Sequence, residues 1–417
     1  MTAVGNSQPA VPAPGPLRSD RLGPVGPLLA LGNFAWAMPS AAAGTLLQAL
    51  LAAHSETTKV ADYALVSSIG AATAMVVTVT AGALSDRTRS RWGRRSPWMV
   101  GGALLAGIGL FGVGSTSAVW ALVVCFAVYQ GGLSTMLAAF QAVLPDRVAP
   151  ASLGKAASLS GLGYLIGTAL GGFVAAAFVT TPYVGLRIVP WTMLLAMLAF
   201  VLLAPDRDSR NLEVPRTSLG VMLREFLPPA DRDFWLAFTG RFLVIFAMFV
   251  VAGYQLFIAT DLLGLATAEA GEVLAVGSLL LAICAGISTV VAGAWSDRLG
   301  VRKPFVVAAT LLIAFGSVWF IAQPSVMALR GFFVVAGIGY GIYLSVDQAL
   351  MVEVLPSTGD EAKELGFLSL GNTAPIVLAP IAGGAVVTAV GYQPLFIISA
   401  VSAVAGAAAI LAIRRVR

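Results

Sequence analysis

The sequence is poor in the residues that usually carry metal and disulfide chemistry. It holds two cysteines, Cys125 and Cys284, and a single histidine, His54. Both cysteines fall in long apolar stretches, which argues against a disulfide framework, and one histidine alone does not make a metal or proton-relay site. We therefore expect neither a metal site nor a bound cofactor.

Three patterns that mark common hydrolases and pumps are also missing. The chain contains no G-x-S-x-G, no Walker A loop and no H-E-x-x-H. Their absence argues against a membrane hydrolase and against an ATP-driven pump. We expect that the protein is not an enzyme.

Charge is scarce as well, at 11% of residues, against 58% hydrophobic residues and a mean hydropathy of +0.89. About a quarter of the residues in a soluble globular protein are charged, so this chain belongs in a bilayer. Apolar stretches of roughly 20 residues, long enough to span a membrane, number twelve, at residues 26–53, 62–84, 97–117, 119–142, 155–180, 186–204, 235–262, 268–295, 304–323, 326–352, 364–390 and 392–413.

A polar segment divides the spans into two sets of six. We predict an all-α membrane protein with one six-helix bundle at 26–204, a cytoplasmic linker at 205–234 and a second bundle at 235–413. Residues 1–25 begin with a stretch rich in Pro, Ala and Gly, which is typical of a disordered tail, and residues 414–417 form a basic tail.

The two sets of spans repeat one another. Gly82-Ala-Leu-Ser-Asp-Arg87 returns as Gly293-Ala-Trp-Ser-Asp-Arg298, an offset of 211 positions. The same offset pairs Arg91 with Arg302 and Tyr129 with Tyr340. Two similar halves in one membrane protein indicate a transporter with a central site between pseudo-symmetric bundles.

Lysine and arginine set the orientation, because basic residues near span ends stay in the cytoplasm. With both termini inside, all but four of the 25 basic residues lie on the cytoplasmic side, the exceptions being Lys59, Arg187, Arg241 and Arg330. We predict a multi-pass plasma-membrane protein, monomeric, with membrane lipids as neighbours. The net charge of +5 then reports topology and requires no nucleic-acid partner.

The loop after the second span carries a family resemblance. Residues 82–98, Gly-Ala-Leu-Ser-Asp-Arg-Thr-Arg-Ser-Arg-Trp-Gly-Arg-Arg-Ser-Pro-Trp, resemble the signature loop of the major facilitator superfamily, in the version of glycoside-pentoside-hexuronide and sucrose-type transporters. The resemblance implies a twelve-helix fold that works by alternating access, with this loop bracing the two halves in the outward-open state. The gating residues it implies are Asp86, Arg87, Arg94 and Arg95, with Asp297 and Arg298 in the second copy. The alternative is that these arginines only fix topology and bind anionic lipids.

Two charges lie well inside the predicted spans, where ionisable groups are costly and usually functional. Arg241 is in span 7 and Asp347 in span 10, at similar depths. The family resemblance implies that spans 1, 4, 7 and 10 line the central cavity, so the two charges are expected to pair there. We predict that Asp347 carries a proton with Arg241 as its partner; the alternative is a static ion pair.

Polar and aromatic residues in the same four spans are candidate ligands for a polar solute. The predicted substrate-binding residues are Asn33, Trp36, Tyr129, Gln130, Tyr340, Tyr343 and Gln348. Asn33 and Arg241 follow matching glycines, in Gly32-Asn33-Phe34 and Gly240-Arg241-Phe242, and are expected to face each other across the two-fold axis. Trp36 offers a flat surface on which a sugar ring can stack.

Two directions of transport remain open. We predict proton-coupled symport of a small polar organic solute, for example a sugar or glycoside. The alternative is a proton-driven efflux antiporter for a drug or metabolite, because Gly154, Gly163, Gly167, Gly171 and Gly172 fit the spacing of the antiporter motif in span 5. The motif's proline is replaced by Thr168, and such glycines also serve close helix packing.

Overall fold

The computed structural model describes residues 25–148, 152–206, 208–210, 231–354 and 361–414. The side chains of a few residues within these ranges, Gln348 among them, are not described. Residues 1–24 of the predicted tail, most of the predicted linker at 205–234 and residues 415–417 of the basic tail lie outside the described residues.

The described residues form helices and no strand, and twelve of the helices are long and apolar enough to cross a membrane. This confirms the predicted all-α fold class. In chain order the helices are α1 Val25–His54, α2 Lys59–Arg87, α3 Ser96–Val113, α4 Val119–Gln141, α5 Leu153–Phe178, α6 Pro182–Leu203, α7 Arg232–Ala252, α8 Thr267–Leu299, α9 Lys303–Ala322, α10 Val326–Val354, α11 Glu361–Val390 and α12 Gln393–Leu411.

Helices α1 to α6 form an N-terminal half and α7 to α12 a C-terminal half, and the two halves pack by matching pairs of helices. In the first half α1 packs on α5, and α4 on both α2 and α3; in the second, α7 packs on α11, and α10 on both α8 and α9. The main contacts between the halves are α5 with α8 and α2 with α11, which the same two-fold relation exchanges. Repeats of this kind place a site at their common interface.

The contacts of α4 and α10 correct the register of the repeat. Gly132 of α4 lies against the backbone at Ala106 of α3, and Gly339 of α10 packs on Ile313 of α9. Both pairs differ by 207 positions, not by the 211 that relates the two signature loops. The segment from the Ser-Asp motif to the start of the next helix is therefore four residues shorter in the second half than in the first.

This shorter loop changes which residues are equivalent. Tyr129 and Tyr340, which the offset of 211 pairs, lie about one helical turn apart in the two halves. Likewise the counterpart of Arg302 is Arg95 and not Arg91, because Arg95 and Arg302 each precede the first residue of α3 and α9. Each of these helices then carries a proline in its first turn, a position where the missing N–H is not needed.

The two halves meet on one side of the molecule. We call the side with the start of α1 and the end of α12 the terminal face, and the other side the opposite face. Lys59, at the start of α2, pairs with Asp261 of the C-terminal half at 2.9 Å on the opposite face. The ion pairs described at the terminal face join residues of the same half. The contacts between the halves thus hold the opposite face together.

The seventh span is not continuous, although its apolar pattern predicts one helix over 235–262. Helix α7 ends at Ala252, and a short helix at Gln255–Phe257 and a π-helical turn at Ile258–Leu262 follow. The side chain of Gln48 accepts a hydrogen bond from the backbone N–H of Leu256 at 3.0 Å. A residue of α1 thereby satisfies a donor that the break in the helix exposes.

Candidate functional site

The two intramembrane charges form an ion pair inside the C-terminal half. Nη2 of Arg241 on α7 lies 3.0 Å from Oδ2 of Asp347 on α10, and the two side chains are 4% and 5% exposed. Nε of Arg241 donates to Oδ1 of Asn372 on α11 at 2.7 Å. The arginine is therefore held by acceptors on two neighbouring helices, which offsets part of the cost of burying its charge.

The start of α7 sets the depth of this pair. Asp231 precedes the helix, and its side chain accepts from the backbone N–H of Phe234 at 3.0 Å. An N-cap of this kind fixes where a helix begins. Arg241 then lies about 14 Å along the helix, at 1.5 Å per residue.

A row of aromatic residues runs from the ion pair toward the other half. Tyr343 and Tyr340 precede Asp347 on the same side of α10, because residues four and seven positions apart share a helix face. The hydroxyl of Tyr343 is buried beside the carboxylate without a hydrogen bond of normal geometry. Tyr340 in turn interacts electrostatically with Tyr164 of α5, in the N-terminal half.

The row ends at α1. The ring of Tyr164 lies 5.4 Å from that of Trp36, at an interplanar angle of 35°. Nε1 of Trp36 donates to Oδ1 of Asn33 at 3.2 Å, and Nδ2 of Asn33 donates to the carbonyl of Leu29 at 3.0 Å. Asn33 is thus bound within its own helix, and the described contacts do not bring it to Arg241.

Two other predicted ligands, Tyr129 and Gln130, lie outside this row. Tyr129 is buried in the N-terminal half, where its hydroxyl bonds Oγ of Ser40 at 3.1 Å. Gln130 lies against Gly70 of α2. The side chain of Gln348 is outside the described residues. The one-turn shift between Tyr129 and Tyr340 explains why only the second tyrosine reaches the interface.

The N-terminal half has no counterpart of the ion pair. By the offset of 207, Asp347 corresponds to Phe140, a buried residue of α4. The Phe140 ring packs on Gly32 of α1, next to Asn33. An apolar contact between α1 and α4 therefore occupies the place that the Arg241–Asp347 pair takes between α7 and α10.

Sequence reasoning missed two residues of the site, Tyr164 and Asn372. Both are uncharged polar residues in apolar spans, so they lack the strong signal that marks a buried charge. Tyr164 directly follows Gly163, one of the glycines that let α5 approach α1 closely. Among the described residues no three His, Cys, Asp or Glu side chains come together as a metal site would require.

The first signature loop is a closed network of charges at the terminal face. Nη2 of Arg95 lies 2.6 Å from Oδ1 of Asp86, and Nη1 of Arg95 donates to Oγ of Ser85 at 2.8 Å. Arg94 and Arg95 both contact Oδ2 of Asp146, at 2.7 and 3.2 Å. Three of the predicted gating residues, Asp86, Arg94 and Arg95, therefore meet in this network.

The second loop repeats the contacts that Asp86 and Ser85 make with Arg95. Nη1 of Arg302 lies 2.6 Å from Oδ1 of Asp297 and donates to Oγ of Ser296 at 2.9 Å. Ser-Asp at the end of one helix thus holds the arginine before the next helix in both halves. The partner of Asp297 is Arg302, whereas the predicted gating residue Arg298 is exposed.

Asp206, after α6, is a further residue that the sequence did not single out. Its carboxylate accepts from the backbone N–H of Arg95 at 3.1 Å and pairs with Arg147 at 2.9 Å. Gly93, with φ of +84°, lies directly beneath it, and a side chain there would overlap Asp206. An acidic residue in a polar connection is common, so nothing in its sequence position marks this role.

The opposite face is closed by a second cluster. Lys59 is 5% exposed and contacts both Asp261 of the C-terminal half and Glu56 of its own half. The Tyr392 hydroxyl donates to Oδ2 of Asp261 at 2.5 Å. Burial and the Asp261 carboxylate raise the pKa of Tyr392 above its usual range, so the hydroxyl stays protonated and keeps donating.

Comparison with known proteins assigns this architecture to a family. The Major Facilitator Superfamily matches residues 25–288 and 263–417, which together cover the twelve helices. No curated protein gives a significant sequence match. Solved structures under 25% identical match nearly the whole chain, which shows a shared fold.

Three of these structures show the range of transporters that share the fold. The nucleoside transporter NupG is 16% identical, with a TM-score of 0.71 over 94% of this chain and 99% of that chain. A POT family transporter in complex with 5-aminolevulinic acid is 13% identical, with a TM-score of 0.73 over 95% and 97%. A bacterial homologue of the human lysosomal transporter Spinster, in an inward-facing and occupied conformation, is 15% identical, with a TM-score of 0.69 over 94% and 96%. The chain belongs to the major facilitator superfamily of transporters.

Proposed function

We propose that this transporter moves a small polar organic solute in symport with protons, and that Asp347 and Arg241 couple the two. One observation carries the proposal: a buried ion pair lies at one end of a row of aromatic and hydroxyl groups that reaches the other half. The geometry of a site shared by both halves changes when the halves move relative to each other, as alternating access requires.

The chemistry of the pair supplies the coupling. A proton added to the Asp347 carboxylate removes its negative charge, while Arg241 keeps its own. Arg241 then retains Asn372 as acceptor and has N–H groups available for an oxygen of the solute. Loss of the proton on the other side of the membrane restores the ion pair and displaces the solute.

The row favours a solute with hydroxyl groups and a flat face. Trp36 and Tyr164 present adjoining rings, and Tyr164 and Tyr340 present hydroxyl groups from both halves. Sugars and glycosides combine such polar edges with apolar faces. The signature loop's likeness to the glycoside-pentoside-hexuronide branch supports the same class, and the similar structures include a nucleoside transporter and a POT family transporter in complex with 5-aminolevulinic acid.

We infer that the terminal face is cytoplasmic and that the protein acts as a monomer in the plasma membrane. The terminal face carries the arginine-rich loops after α2 and α8, and basic loops stay inside. With this orientation the contacts at the opposite face describe an inward-facing state. The Arg95–Asp86 pair within one half is then the form of the loop in which the halves are apart at the cytoplasmic side.

Proton-driven efflux is the second candidate, favoured by the glycine pattern of α5. Gly163, Gly167 and Gly171 lie against α1, while Gly172 meets Ser278 of α8 across the halves. Packing of α5 on α1 accounts for the first three glycines in either direction of transport. The symport proposal therefore ranks first, and the direction of solute movement decides between the two.

A liposome assay with Asp347→Asn tests the coupling. A thermal-shift screen of the purified protein against sugars, glycosides and amphiphilic drugs first identifies a solute that stabilises it. In liposomes we expect a pH gradient with an alkaline lumen, which drives protons inward, to drive accumulation of the solute by the wild type. The variant is expected to lose gradient-driven accumulation and to keep exchange of labelled for unlabelled solute, because exchange needs no net proton movement.

Asp208→Asn is the matched control, since it makes the same chemical change at an exposed ion pair. It should accumulate solute as the wild type does. Retained exchange shows that Asp347→Asn is folded, so gradient-driven accumulation at wild-type level by that variant would remove Asp347 from the mechanism. Stabilisation by drugs alone, with accumulation driven by an acidic lumen and not by an alkaline one, would favour proton-driven efflux.

A further inference from the structure

A cavity lies on the opposite face, wholly inside the N-terminal half. It has a volume of about 370 Å³ and lies between the end of α1, the turn from α3 to α4 and the turn from α5 to α6. None of its lining residues belongs to the C-terminal half or to the aromatic row. It is therefore distinct from the central site.

Arg187 of α6 is fixed at the wall of this cavity. Its side-chain stem lies against Gly114, where an added Cβ would be 3.1 Å from Cγ of Arg187. Its Nε donates to Oγ of Ser115 at 3.1 Å, and its guanidinium lies 5.9 Å from the centre of the Tyr183 ring. The Nε–H of Arg187 is thus bonded to Ser115, and the N–H groups on its two Nη atoms are available to a ligand.

The rest of the lining mixes apolar and polar residues and carries no acid. It contributes the hydroxyls of Ser117 and Thr180 and the ring of His54. Nδ1 of His54 is 2.8 Å from the carbonyl of Leu50, a contact in which the nitrogen donates, and this leaves Nε2 for another partner. Among the described residues Arg187 has no ion-pair partner.

Arg187 is an unusual cation, because it lies on the opposite face. Basic residues are concentrated in the loops of the terminal face, and the other cation near this region, Lys59, is neutralised by Glu56 and Asp261. An arginine fork beside hydroxyl groups suits a tetrahedral oxyanion, which accepts two parallel N–H bonds and further hydroxyl bonds. The exposed side chains of Tyr183 and Ile188 adjoin Arg187 on its lipid-accessible helix.

We propose that this cavity binds a phosphate group through Arg187. The group has two sources, the head of an anionic phospholipid in the adjacent leaflet or free inorganic phosphate. The apolar residues beside Arg187 would contact the acyl chains in the first case and contribute nothing in the second.

Calorimetric titration of the purified full-length protein distinguishes the sources. The probes are inorganic phosphate, the water-soluble lipid dihexanoyl phosphatidylglycerol, and a dihexanoyl glycerol that lacks the phosphate. We expect saturable binding of at least one phosphate-bearing probe and none of the dihexanoyl glycerol. Binding of both phosphate-bearing probes would assign the site to free phosphate, and binding of the lipid alone would assign it to phospholipid.

Arg187→Gln should weaken that binding by about tenfold, the effect of losing charged hydrogen bonds. Arg187→Lys, which keeps the charge but not the fork, should weaken it less. Arg330→Gln, an exposed arginine of α10, is the matched control and should bind normally. Asp347→Asn should also bind normally, so the result is independent of the proposed transport mechanism.

Three results would overturn the proposal. They are no binding of either phosphate-bearing probe by the wild type, equal binding by Arg187→Gln and the wild type, and equal loss in Arg187→Gln and Arg330→Gln. Arg187→Lys guards against misfolding, because a loss in both Arg187 variants with an unaltered melting temperature still assigns the effect to the guanidinium.

Discussion

A single charge pair dominates the energetics of the site at the scale of residues. Arg241 and Asp347 are each almost fully buried, so either charge alone would lack the partner that compensates its desolvation. Asn372 is neutral and supports Arg241 by a hydrogen bond without cancelling its charge. The pair is thus stable as a unit and sensitive to the loss of either member, which is the property a proton switch needs.

We predict that Arg241→Gln and Asp347→Asn each destabilise the protein by about 3 kcal/mol, because each leaves an unpaired buried charge. The double variant should cost less than the sum, since it leaves no charge behind. Thermal unfolding in detergent, with all four proteins at one pH, measures this non-additivity. Additive effects would mean that the pair is not coupled in the folded protein.

The exposed pair of Asp297 and Arg302 provides the comparison. The Asp297 side chain is 71% exposed, and surface pairs contribute about 0 to 1 kcal/mol. Asp297→Asn should therefore shift the melting temperature little. An equal loss at both sites would point to a general effect of aspartate substitution.

The sequence allowed the ion pair to be predicted but not the whole row. Two opposite charges in apolar spans are conspicuous, and each needs a partner. Tyr164 and Asn372 are not conspicuous, because an uncharged polar side chain in a span is often bonded within its own helix, as Asn33 is. Only the packing of α5 and α11 reveals which of these residues face the pair.

At the scale of elements, the signature loops show how a repeat keeps a function while its length changes. Ser85-Asp86 and Ser296-Asp297 each hold the arginine that precedes the following helix. The first loop also reaches Asp146 and Asp206, through Arg94 and Arg95. The first loop is therefore bonded to the short helix Val143–Arg147 after α4 and to the start of the linker, so a movement of either would displace the loop.

Gly93 makes the tie to Asp206 possible, and we predict that Gly93→Ala destabilises the protein more than Gly300→Ala does. Both glycines have positive φ, +84° and +64°, but only Gly93 has a side chain packed where a Cβ would stand. Strain alone should cost about 1 kcal/mol in Gly300→Ala. Gly93→Ala should cost roughly twice that, because Asp206 must also move away from Arg147.

Melting temperatures of the two variants measure this difference. Gly300→Ala controls for backbone strain, since nothing lies within 4 Å of the added methyl group. Equal shifts would show that the contact between Gly93 and Asp206 adds nothing to stability.

The helices were predictable as elements because their length and apolar composition follow from the thickness of a bilayer. The register between the repeats was not. The Ser-Asp motifs fix an offset of 211 before the shorter loop, whereas the contacts of Gly132 and Gly339 follow an offset of 207 after it. An ungapped comparison cannot detect a deletion between the two, and it therefore paired Tyr129 with the wrong residue. The break in α7 also escaped prediction, because Gly253 and Tyr254 interrupt the helix without interrupting the apolar run.

At the scale of the whole molecule, the opposite face is where the two halves hold each other. Lys59, Gln48 and the ring of Tyr63 in one half contact Asp261, Leu256 and Tyr254 in the other. These contacts must separate if the molecule is to open on that side.

We predict that Lys59→Met increases the separation of the halves at the opposite face. Loss of a partly buried ion pair should raise the ratio of molecules open on that face to molecules closed there by about tenfold. Spin labels at Thr57 and Ala389, both exposed, report the distance between the halves in a protein lacking Cys125 and Cys284. Glu56→Gln is the control, because it removes the partner of Lys59 that belongs to the same half. Unaltered distances in Lys59→Met, or equal changes in both variants, would contradict a gating role for the Lys59–Asp261 pair.

The pairing of Arg241 with Asp347 also has an electrical consequence. As an ion pair the site has no net charge, whereas a protonated Asp347 beside Arg241 leaves one positive charge deep in the membrane. One elementary charge crossing a potential of 100 mV is worth about 2.3 kcal/mol. A membrane that is negative inside would therefore pull the protonated form inward and leave the return of the paired form almost unaffected, so that voltage alone can drive the cycle in one direction.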